Sequence, residues 1–404
     1  MAFQDPTSTH PLSASGEPID HECVVAGVRE AVGSVERLPL HAPIFPPRAQ
    51  KYVAECIASG WVSSAGPFVD RFEQALAEFL GAEHVVAVNT GTAALHAALE
   101  MVEVRAGDVV ACPSLTFVAT ANAIAYTGAT PLYFDVEERT FGLDPALLRG
   151  YAEAHFEVRD GRGYDRRVER PIGAIVPMHT FGHPMDIRPL IEVAERYSIP
   201  LVEDAAESLG SHYDGRHCGT LGAINATSFN GNKAITTGGG GALITNDPEL
   251  ARRVRHRTST AKQPHAWEYV HDEVGYNYRM PGLCAALGLA QLEAIDEILT
   301  AKKTLAARYA EAFRDVAGVR ILDSPSGSTS NYWLNALVLD DPAERDSLLQ
   351  ALHDDGIEAR AVWRPMHELA IHDGLLATPL ATTERLARTT INLPSSPELG
   401  GLHF

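Results

Sequence analysis

The chain has 404 residues and a formal net charge of −19. Because DNA and RNA bind clusters of Lys and Arg, this charge argues against a nucleic-acid partner, and it requires that any anionic ligand be held by local donors. Hydrophobic residues make up 45% and charged residues 21% of the sequence, which is typical of a globular protein with a large core, and the length favours two domains.

The cysteines and the N-terminal residues indicate a cytoplasmic protein. The five cysteines are odd in number, widely scattered and without a CxxC pair, which predicts free thiols in a reducing compartment and no zinc or other metal site. Residues 1–20 lack the basic and apolar regions of a signal peptide, and no apolar run is long enough to span a membrane. We therefore expect no membrane partner.

The first 37 residues are predicted to form a flexible tail, rich in Ser, Pro and Thr, and a short helix over 21–35. Helices follow over 49–59 and 68–80, and strands then alternate with helices. The predicted strands are 84–88, 108–111, 130–136, 172–178, 201–204, 227–229 and 242–245, and the predicted helices between them are 93–102, 117–126, 144–154 and 187–197. This alternation predicts an α/β fold with a mostly parallel sheet covered by helices on both faces.

The charged segment 159–170 is interpreted as a surface insertion in this unit. A long helical stretch over 283–313 then leads to a smaller α+β unit. Its predicted strands are 334–339 and 359–363, and its predicted helices are 343–353 and 382–388. We therefore predict a large domain over 38–290 and a small C-terminal domain over 291–404.

In a parallel sheet, ligands bind beyond the carboxyl ends of the strands. Gly91-Thr92, His179, Asp204 and Ser228 all fall at or just past predicted strand ends, so one pocket could collect them. The turn before the helix that begins near Gly91 offers backbone N–H groups to an anion, with Thr92 and Ser228 as further donors. A plain helix cap is the alternative for this turn. His179 could equally be a core histidine.

Lys233 is the candidate nucleophile. The chain has only five lysines, Lys51, Lys233, Lys262, Lys302 and Lys303, and the other four are predicted to be solvated. Lys233 lies among small residues, and a lysine in a tight, partly desolvated site can attack a carbonyl, as in the Schiff base with pyridoxal phosphate (PLP). Asp204, at the end of an apolar strand, would then pair with the pyridine nitrogen. A loop lysine in a glycine-rich turn is the alternative.

Phe117, at the start of a predicted helix, could stack on a flat ring or simply pack in the core. Other catalytic motifs are absent from the sequence. Ala234 follows Lys233 where a P-loop requires Ser or Thr, and there is no HExxH, no GxSxG and no GxGxxG between a strand and a helix.

Six short runs follow one another in this order: NTGTAALHAAL, CPSLTFVATANAI, VPMHTFGHPMDI, EDAAES, SFNGNK followed by TTGGGG, and GYNYRM. Together they resemble the DegT-type sugar aminotransferases, fold-type I PLP enzymes that act on nucleotide-linked keto sugars, from about Leu38 to the C-terminus. The resemblance implies that Lys233 forms the Schiff base and that Asp204 pairs with the pyridinium nitrogen. It further implies cofactor contacts from Gly91, Thr92, Phe117, Glu207, Ser228 and Asn277.

Asn277 of GYNYRM would reach the cofactor phosphate of a neighbouring subunit, which implies a homodimer with shared active sites. Glu207 stands where many family members carry Gln, and a carboxylate near the cofactor's phenolic oxygen is repelled unless one of the two is protonated. Candidate substrate contacts are Trp61, His179, Arg279 and His367.

SGWVSSAGPFVDRFE, EDAAES and FNGNKAITTGGGG are most similar to the branch that makes 4-amino sugars for legionaminic-type nonulosonic acids. This similarity implies that glutamate is the amino donor and that the acceptor is a UDP-linked 2-acetamido-4-keto-2,4,6-trideoxyhexose. Three alternatives stay open: another keto sugar nucleotide (3-keto, or GDP- or dTDP-linked), a different fold-type I enzyme such as a lyase, and a PLP-binding regulator without turnover.

Overall fold

The computed structural model describes residues 19–33, 38–372 and 375–404, and the predicted tail over residues 1–18 lies outside them. The α-helices of the described residues are α1 His21–Val32, α2 Arg48–Ser59, α3 Pro67–Leu80, α4 Gly91–Met101, α5 Val118–Tyr126, α6 Pro145–His155, α7 Arg188–Arg196, α8 Pro248–Thr258, α9 Gly282–Leu292, α10 Ile295–Ala312, α11 Arg345–Asp354 and α12 Ala381–Thr389. The strands are β1 His84–Val88, β2 Val109–Pro113, β3 Thr130–Phe134, β4 Phe156–Arg159, β5 Arg162–Asp165, β6 Arg170–Ile175, β7 His212–Tyr213, β8 Arg216–His217, β9 Asn225–Ser228, β10 Gly241–Thr245, β11 Val319–Ile321, β12 Ser328–Thr329, β13 Asn335–Leu339, β14 Arg360–Ala361, β15 Leu376–Ala377 and β16 Thr390–Leu393.

The central sheet is mixed, and it is assembled from two ladders. Strands β15, β3, β2 and β6 run parallel, while β9, β10 and β1 form an antiparallel ladder. The extended segment 201–204 joins the ladders through single parallel bridges from Ile175 to Leu201, from Met178 to Asp204 and from Asp204 to Ala226. The carboxyl ends of β1, β2, β6, β9 and this segment therefore lie at one edge of the sheet.

Alternate residues of the strands pack on opposite faces of the sheet, as the period of a strand requires. Val85 and Ala87 of β1 join the apolar cluster of α2, α3 and α9 on one face. Val86 and Val88 join the cluster of α4, α5 and α8 on the other. The sheet is thus buried on both faces, and its polar edge at the strand ends is where a site can form.

The C-terminal part of the chain contains the antiparallel sheet β11-β13-β16-β14. Helices α1, α10 and α11 cover this sheet and share one apolar cluster with it. Helix α10 spans both parts of the molecule, because Ile295, Ile298 and Leu299 belong to the core of the large sheet while Leu305 and Tyr309 belong to the C-terminal cluster.

Two predicted elements and the predicted environment of one lysine differ from the structure. The predicted insertion over 159–170 contains β5, which with β4 forms a hairpin that continues the sheet antiparallel to β6. The helical stretch over 283–313 is divided into α9 and α10. Lys302, predicted to be solvated, is only 1% exposed. That prediction was wrong because Lys302 lies on the face of α10 that packs inward. None of the helices in the described ranges combines the length and apolar character needed to cross a bilayer.

Candidate active site

Asp204 lies at the carboxyl end of the segment 201–204, in the middle of the sheet. Its side chain is buried, and it accepts hydrogen bonds from Thr120 Oγ1 at 2.7 Å and from the backbone N–H of Ala206 at 3.1 Å. Burial raises the pKa of Asp204, whereas these hydrogen bonds and the charge of Lys233 lower it. Since the described residues place no cation within ion-pair distance of this carboxylate, it is suited to receive a cationic ligand group.

Lys233 lies in the loop between β9 and β10, and its amine is held from two sides. Nζ donates to Glu207 Oε1 at 3.2 Å, and it lies 3.9 Å from the ring centre of Trp333. The lysine side chain is 12% exposed and that of Glu207 is 1% exposed. The amine is therefore largely desolvated but not sealed, as a nucleophile that must meet a ligand requires.

Glu207 is a buried carboxylate with two partners. Its Oε1 accepts from Lys233, and its Oε2 accepts from the backbone N–H of Phe181 at 2.9 Å. Burial raises the pKa of Glu207 to about 7, although the charge of Lys233 opposes this rise. Phe181 adopts a left-handed conformation with φ of 56°, and this strained turn aims its N–H at the carboxylate.

We expect Glu207→Gln to remove part of the pH dependence of the stability of the cofactor-free protein. The pKa of Glu207 is about 7 in the folded chain and that of an unfolded glutamate is about 4.3, so between these values the folded state binds more protons and its stability falls as pH rises. Urea unfolding at about pH 5 and pH 8 should show that the wild type loses roughly 2–3 kcal/mol more than the variant. Equal losses would mean that Glu207 titrates as an ordinary carboxylate.

The predicted phosphate residues meet where β1 and β9 end. Gly91 begins α4, whose first N–H groups have no partner within the helix, and Thr90 caps the helix by accepting from Ala93 N at 3.0 Å. A Cβ atom on Gly91 would lie 2.7 Å from Cβ of Ser228, so only glycine permits this approach. Gly91, Thr92 and Ser228 thus form one cradle of small residues and N–H donors.

Two further predicted residues lie at the end of β2. Phe117 precedes α5 and is 47% exposed, with Trp363 edge-on at 6.1 Å, so its ring is free to meet a ligand. His367 Nδ1 is 2.8 Å from Ser114 Oγ, directly after β2. Both residues therefore border the same edge of the sheet as Asp204.

Two predicted substrate contacts, His179 and Arg279, form ion pairs inside the protein. His179 is fully buried and its Nε2 is 2.9 Å from Glu203 Oε2. Burial opposes a charge on His179, but the Cys218 sulfur and the Glu203 carboxylate raise the pKa of His179 above its ordinary value. Arg279 Nη2 donates to the buried Glu73 at 2.8 Å, whereas its Nη1 is buried without a hydrogen-bond partner among the described residues. This geometry suits the core-histidine alternative for His179, while the substrate roles of both residues stay predictions.

Trp61 and Asn277 are exposed at the surface of the described chain. Trp61 is 57% exposed and its backbone packs against the start of α9 at Gly282. The backbone oxygen of Asn277 lies 3.5 Å from Asn89 Nδ2, next to the end of β1. The substrate role of Trp61 and the cofactor role of Asn277 stay predictions.

Sequence reasoning missed Thr120 and Trp333. Thr120 lies one turn into α5 and is set against Asp204 by the packing of that helix on the sheet. Its only sequence signal is a hydroxyl in a helix that is mostly apolar, VATANAIAY, where Asn122 is also polar. Trp333 arrives from a segment 100 residues beyond Lys233, and no local pattern indicates its place.

The donor set at this edge fits PLP. The cradle at Gly91 offers N–H and hydroxyl donors to a phosphate, the buried Asp204 carboxylate suits a protonated pyridine nitrogen, and Lys233 suits the aldehyde carbon. The exposed ring of Phe117 could cover a flat heterocycle. Residues from four strand ends would thus hold one cofactor.

Comparison with known proteins also indicates a PLP-dependent aminotransferase. Residues 46–403 match the model of the DegT/DnrJ/EryC1/StrS aminotransferase family. The chain is 37% identical to EpsN of Bacillus subtilis, named as a pyridoxal phosphate-dependent aminotransferase, over 90% of this chain and 92% of that protein. It is 35% identical to GDP-perosamine synthase of Escherichia coli O157:H7, over 90% of this chain and 94% of the synthase. The solved structure of the aminotransferase TlmJ from Streptoalloteichus hindustanus matches with a TM-score of 0.81 and 31% identity, over 89% of this chain and 93% of that one.

Proposed function

The chain belongs to the DegT/DnrJ/EryC1/StrS aminotransferase family, and on this basis we propose that it moves an amino group from glutamate to a keto nucleotide sugar. It is an enzyme, an aminotransferase, and its cofactor is PLP. The observation that carries the proposal is the arrangement of Lys233, Glu207 and Asp204. The Lys233 amine is largely desolvated against Glu207, and the buried Asp204 carboxylate has no cation within ion-pair distance among the described residues.

The acceptor we propose is C4 of a UDP-linked 2-acetamido-4-keto-2,4,6-trideoxyhexose. The runs EDAAES and FNGNKAITTGGGG support this choice, since they are similar to the branch that makes legionaminic-type 4-amino sugars. A second candidate is a GDP-linked 4-keto sugar, which the perosamine-synthase relative favours at 35% identity. Both candidates would be aminated at a 4-keto carbon, and they differ in the nucleotide and in the 2-acetamido group that defines the first.

Each residue of the site has a distinct task in this reaction. PLP, when bound, supplies an electron sink for the carbanion that forms when Cα of the amino donor loses its proton. Lys233 Nζ takes that proton and later returns one, as general base and then acid. Asp204 keeps the ring nitrogen charged, and the cradle at Gly91 and Ser228 orients the phosphate. Glu207 holds the Lys233 amine between these steps.

A half-reaction panel tests this function and identifies the acceptor. Purified protein is loaded with PLP, converted with glutamate until its visible absorbance is lost, and freed of excess glutamate. It is then mixed with 4-keto and 3-keto sugars linked to UDP, GDP or dTDP, and the return of the visible absorbance is followed. We expect UDP- or GDP-linked 4-keto sugars to restore it. Restoration by 2-oxoglutarate alone, with no nucleotide sugar active, would contradict the proposal.

We also propose that the enzyme is a homodimer in which Asn277 serves the partner's pocket. The GYNYRM loop leaves Asn277 exposed beside the edge strand β1, where a two-fold axis could bring it to a second copy. The alternative is that Asn277 serves its own chain, because its backbone lies next to Asn89.

Complementation between inactive variants decides between the two arrangements. Lys233→Ala and Asn277→Asp are each purified and mixed under conditions that exchange subunits. If the site is shared, a mixed dimer has one pocket with both defects and one with neither, so we expect up to about half of the activity per mixed dimer to return. No recovery, with exchange shown independently by differently tagged subunits, would mean that each pocket is built from one chain.

A further inference from the structure

Trp333 lies against the Lys233 amine, although it belongs to the segment between β12 and β13. The lysine Nζ is 3.9 Å from the centre of the indole ring, which is the geometry of a cation–π contact. Trp333 is only 4% exposed, so the contact is largely shielded from water and the ring cannot swing away freely. The face of the indole therefore limits where the end of the lysine side chain can go.

A second contact of the same indole fixes the backbone of the lysine. Trp333 Nε1 donates to the carbonyl of Asn232 at 2.6 Å, and Asn232 directly precedes Lys233. One side chain thus constrains both the start and the end of a lysine side chain that has four rotatable bonds. Glu207 alone could not do this, because it contacts only the terminal nitrogen.

Trp333 is itself held through its backbone. Its N–H donates to Asn331 Oδ1 at 2.8 Å, and Asn331 Nδ2 donates to the carbonyl of Glu207 at 2.8 Å. The Trp333 carbonyl accepts from Lys302 Nζ at 3.2 Å. The backbone of Trp333 is therefore connected on one side, through Asn331, to the loop that carries Glu207 and on the other side to Lys302 of α10.

Lys302 anchors this arrangement with a matched set of acceptors. Besides the Trp333 carbonyl, its Nζ contacts the Ser395 carbonyl at 2.7 Å and His41 Nε2 at 3.0 Å. An ammonium group has three N–H donors, and three acceptors are present. Burial lowers the pKa of Lys302 to about 7, and the three acceptors favour the charged form against that effect. The Lys302 amine thus connects α10 to His41, to the Trp333 backbone and to Ser395 in the segment after β16.

We propose that Trp333 is a positioning residue for the reaction of Lys233. The indole ring holds the Lys233 amine at a fixed distance from its face, and the indole Nε1–H fixes the peptide group before the lysine. A lysine that must remove a proton from one carbon and deliver one to another gains from such restriction, since misplacement of a reacting group by about 1 Å can cost on the order of a hundredfold in rate. The proposal rests on the proposed role of Lys233.

The test compares Trp333→Phe, which keeps an aromatic face but loses the bond to Asn232, with Trp333→Leu, which loses both. Leu348→Ala is the matched control, because Leu348 is fully buried in the C-terminal cluster and belongs to none of the contacts around Lys233. For each PLP-loaded protein we measure the single-turnover rate constant with glutamate, the glutamate concentration that gives half the maximal rate, and the visible circular dichroism of the bound cofactor.

We expect Trp333→Leu to lower the maximal single-turnover rate about tenfold or more and to weaken the visible circular dichroism, with the half-saturating glutamate concentration changed by less than about threefold. Trp333→Phe should recover part of both signals. Leu348→Ala should reduce stability in urea and leave both signals unchanged.

Wild-type rate and dichroism in Trp333→Leu, or equal losses in Leu348→Ala, would overturn the positioning role. If Trp333→Leu does not fold, Trp333→Phe decides: a variant that retains the full rate and dichroism overturns the proposal. Failure of the wild type itself to react with glutamate would instead overturn the proposed function, so the two failures are distinguishable.

Discussion

Lys233→Ala is expected to lower turnover by at least about ten-thousandfold. Proton transfer by a positioned side chain contributes about 10²–10⁴ to a rate, and the variant also loses the covalent attachment of the cofactor. In the structure the amine stands between Glu207 and Trp333, so alanine leaves no group in that space. The measurement is the steady-state rate with glutamate and whichever keto sugar restores the cofactor absorbance, together with the single-turnover rate with glutamate.

Lys303→Ala is the matched control for this prediction. Lys303 is exposed on α10, so its removal deletes a lysine without touching the site, and activity should stay within about twofold. The alanine variant at 233 must still bind PLP, which equilibrium dialysis can measure. If Lys233→Ala binds PLP and its turnover is within about a hundredfold of wild type, the proton transfer must be assigned to another group.

Local patterns predicted the parts of the fold that depend on near neighbours. The predicted strand over 84–88 is β1, and the predicted helix over 68–80 is α3. The helical spacing of Phe68, Phe72, Leu76 and Phe79 predicts one apolar stripe on this helix, and the first three are buried while Phe79 is half-buried. Asp204 was selected as a candidate because an acidic residue at the end of an apolar strand is costly without a partner, and the structure shows that its side chain is buried. Each of these features depends on a pattern within about ten neighbouring residues of the sequence.

What the sequence did not predict depends on partners from distant parts of the chain. Lys302 lies between Ala301 and the exposed Lys303, and nothing nearby indicates that residues 41, 333 and 395 would supply its acceptors. The antiparallel direction of β10 was missed, because the alternation of strands and helices does not give the direction of a strand that follows another without a helix between them. The ion pairs of the candidate contacts His179 and Arg279 were also not predicted, because their partners Glu203 and Glu73 are distant in the sequence.

Asp204→Asn is expected to keep PLP binding and to lose about a thousandfold or more in rate. An amide cannot keep the pyridine nitrogen protonated, and the loss of that ion pair costs several kcal/mol in the transition state. The fold should tolerate the change, because the Asn Oδ1 can still accept from Thr120 Oγ1 or from Ala206 N–H, and burial makes the neutral side chain less costly than the carboxylate. Stability of the cofactor-free variant in urea should therefore equal or exceed that of the wild type.

Measuring both the reaction rate and the stability in urea of Asp204→Asn separates a catalytic role of Asp204 from a structural one. A charge that only shaped the loop would affect stability and cofactor affinity, whereas a charge that holds the ring proton affects the rate of Cα proton removal at saturating glutamate. Thr120→Val tests the support of that charge: it removes the 2.7 Å hydrogen bond and leaves the carboxylate, so we expect a smaller loss, about tenfold. An Asp204→Asn enzyme within about tenfold of wild type would show that Asp204 acts by structure alone, because a neutral amide at 204 would then serve the reaction nearly as well as the carboxylate.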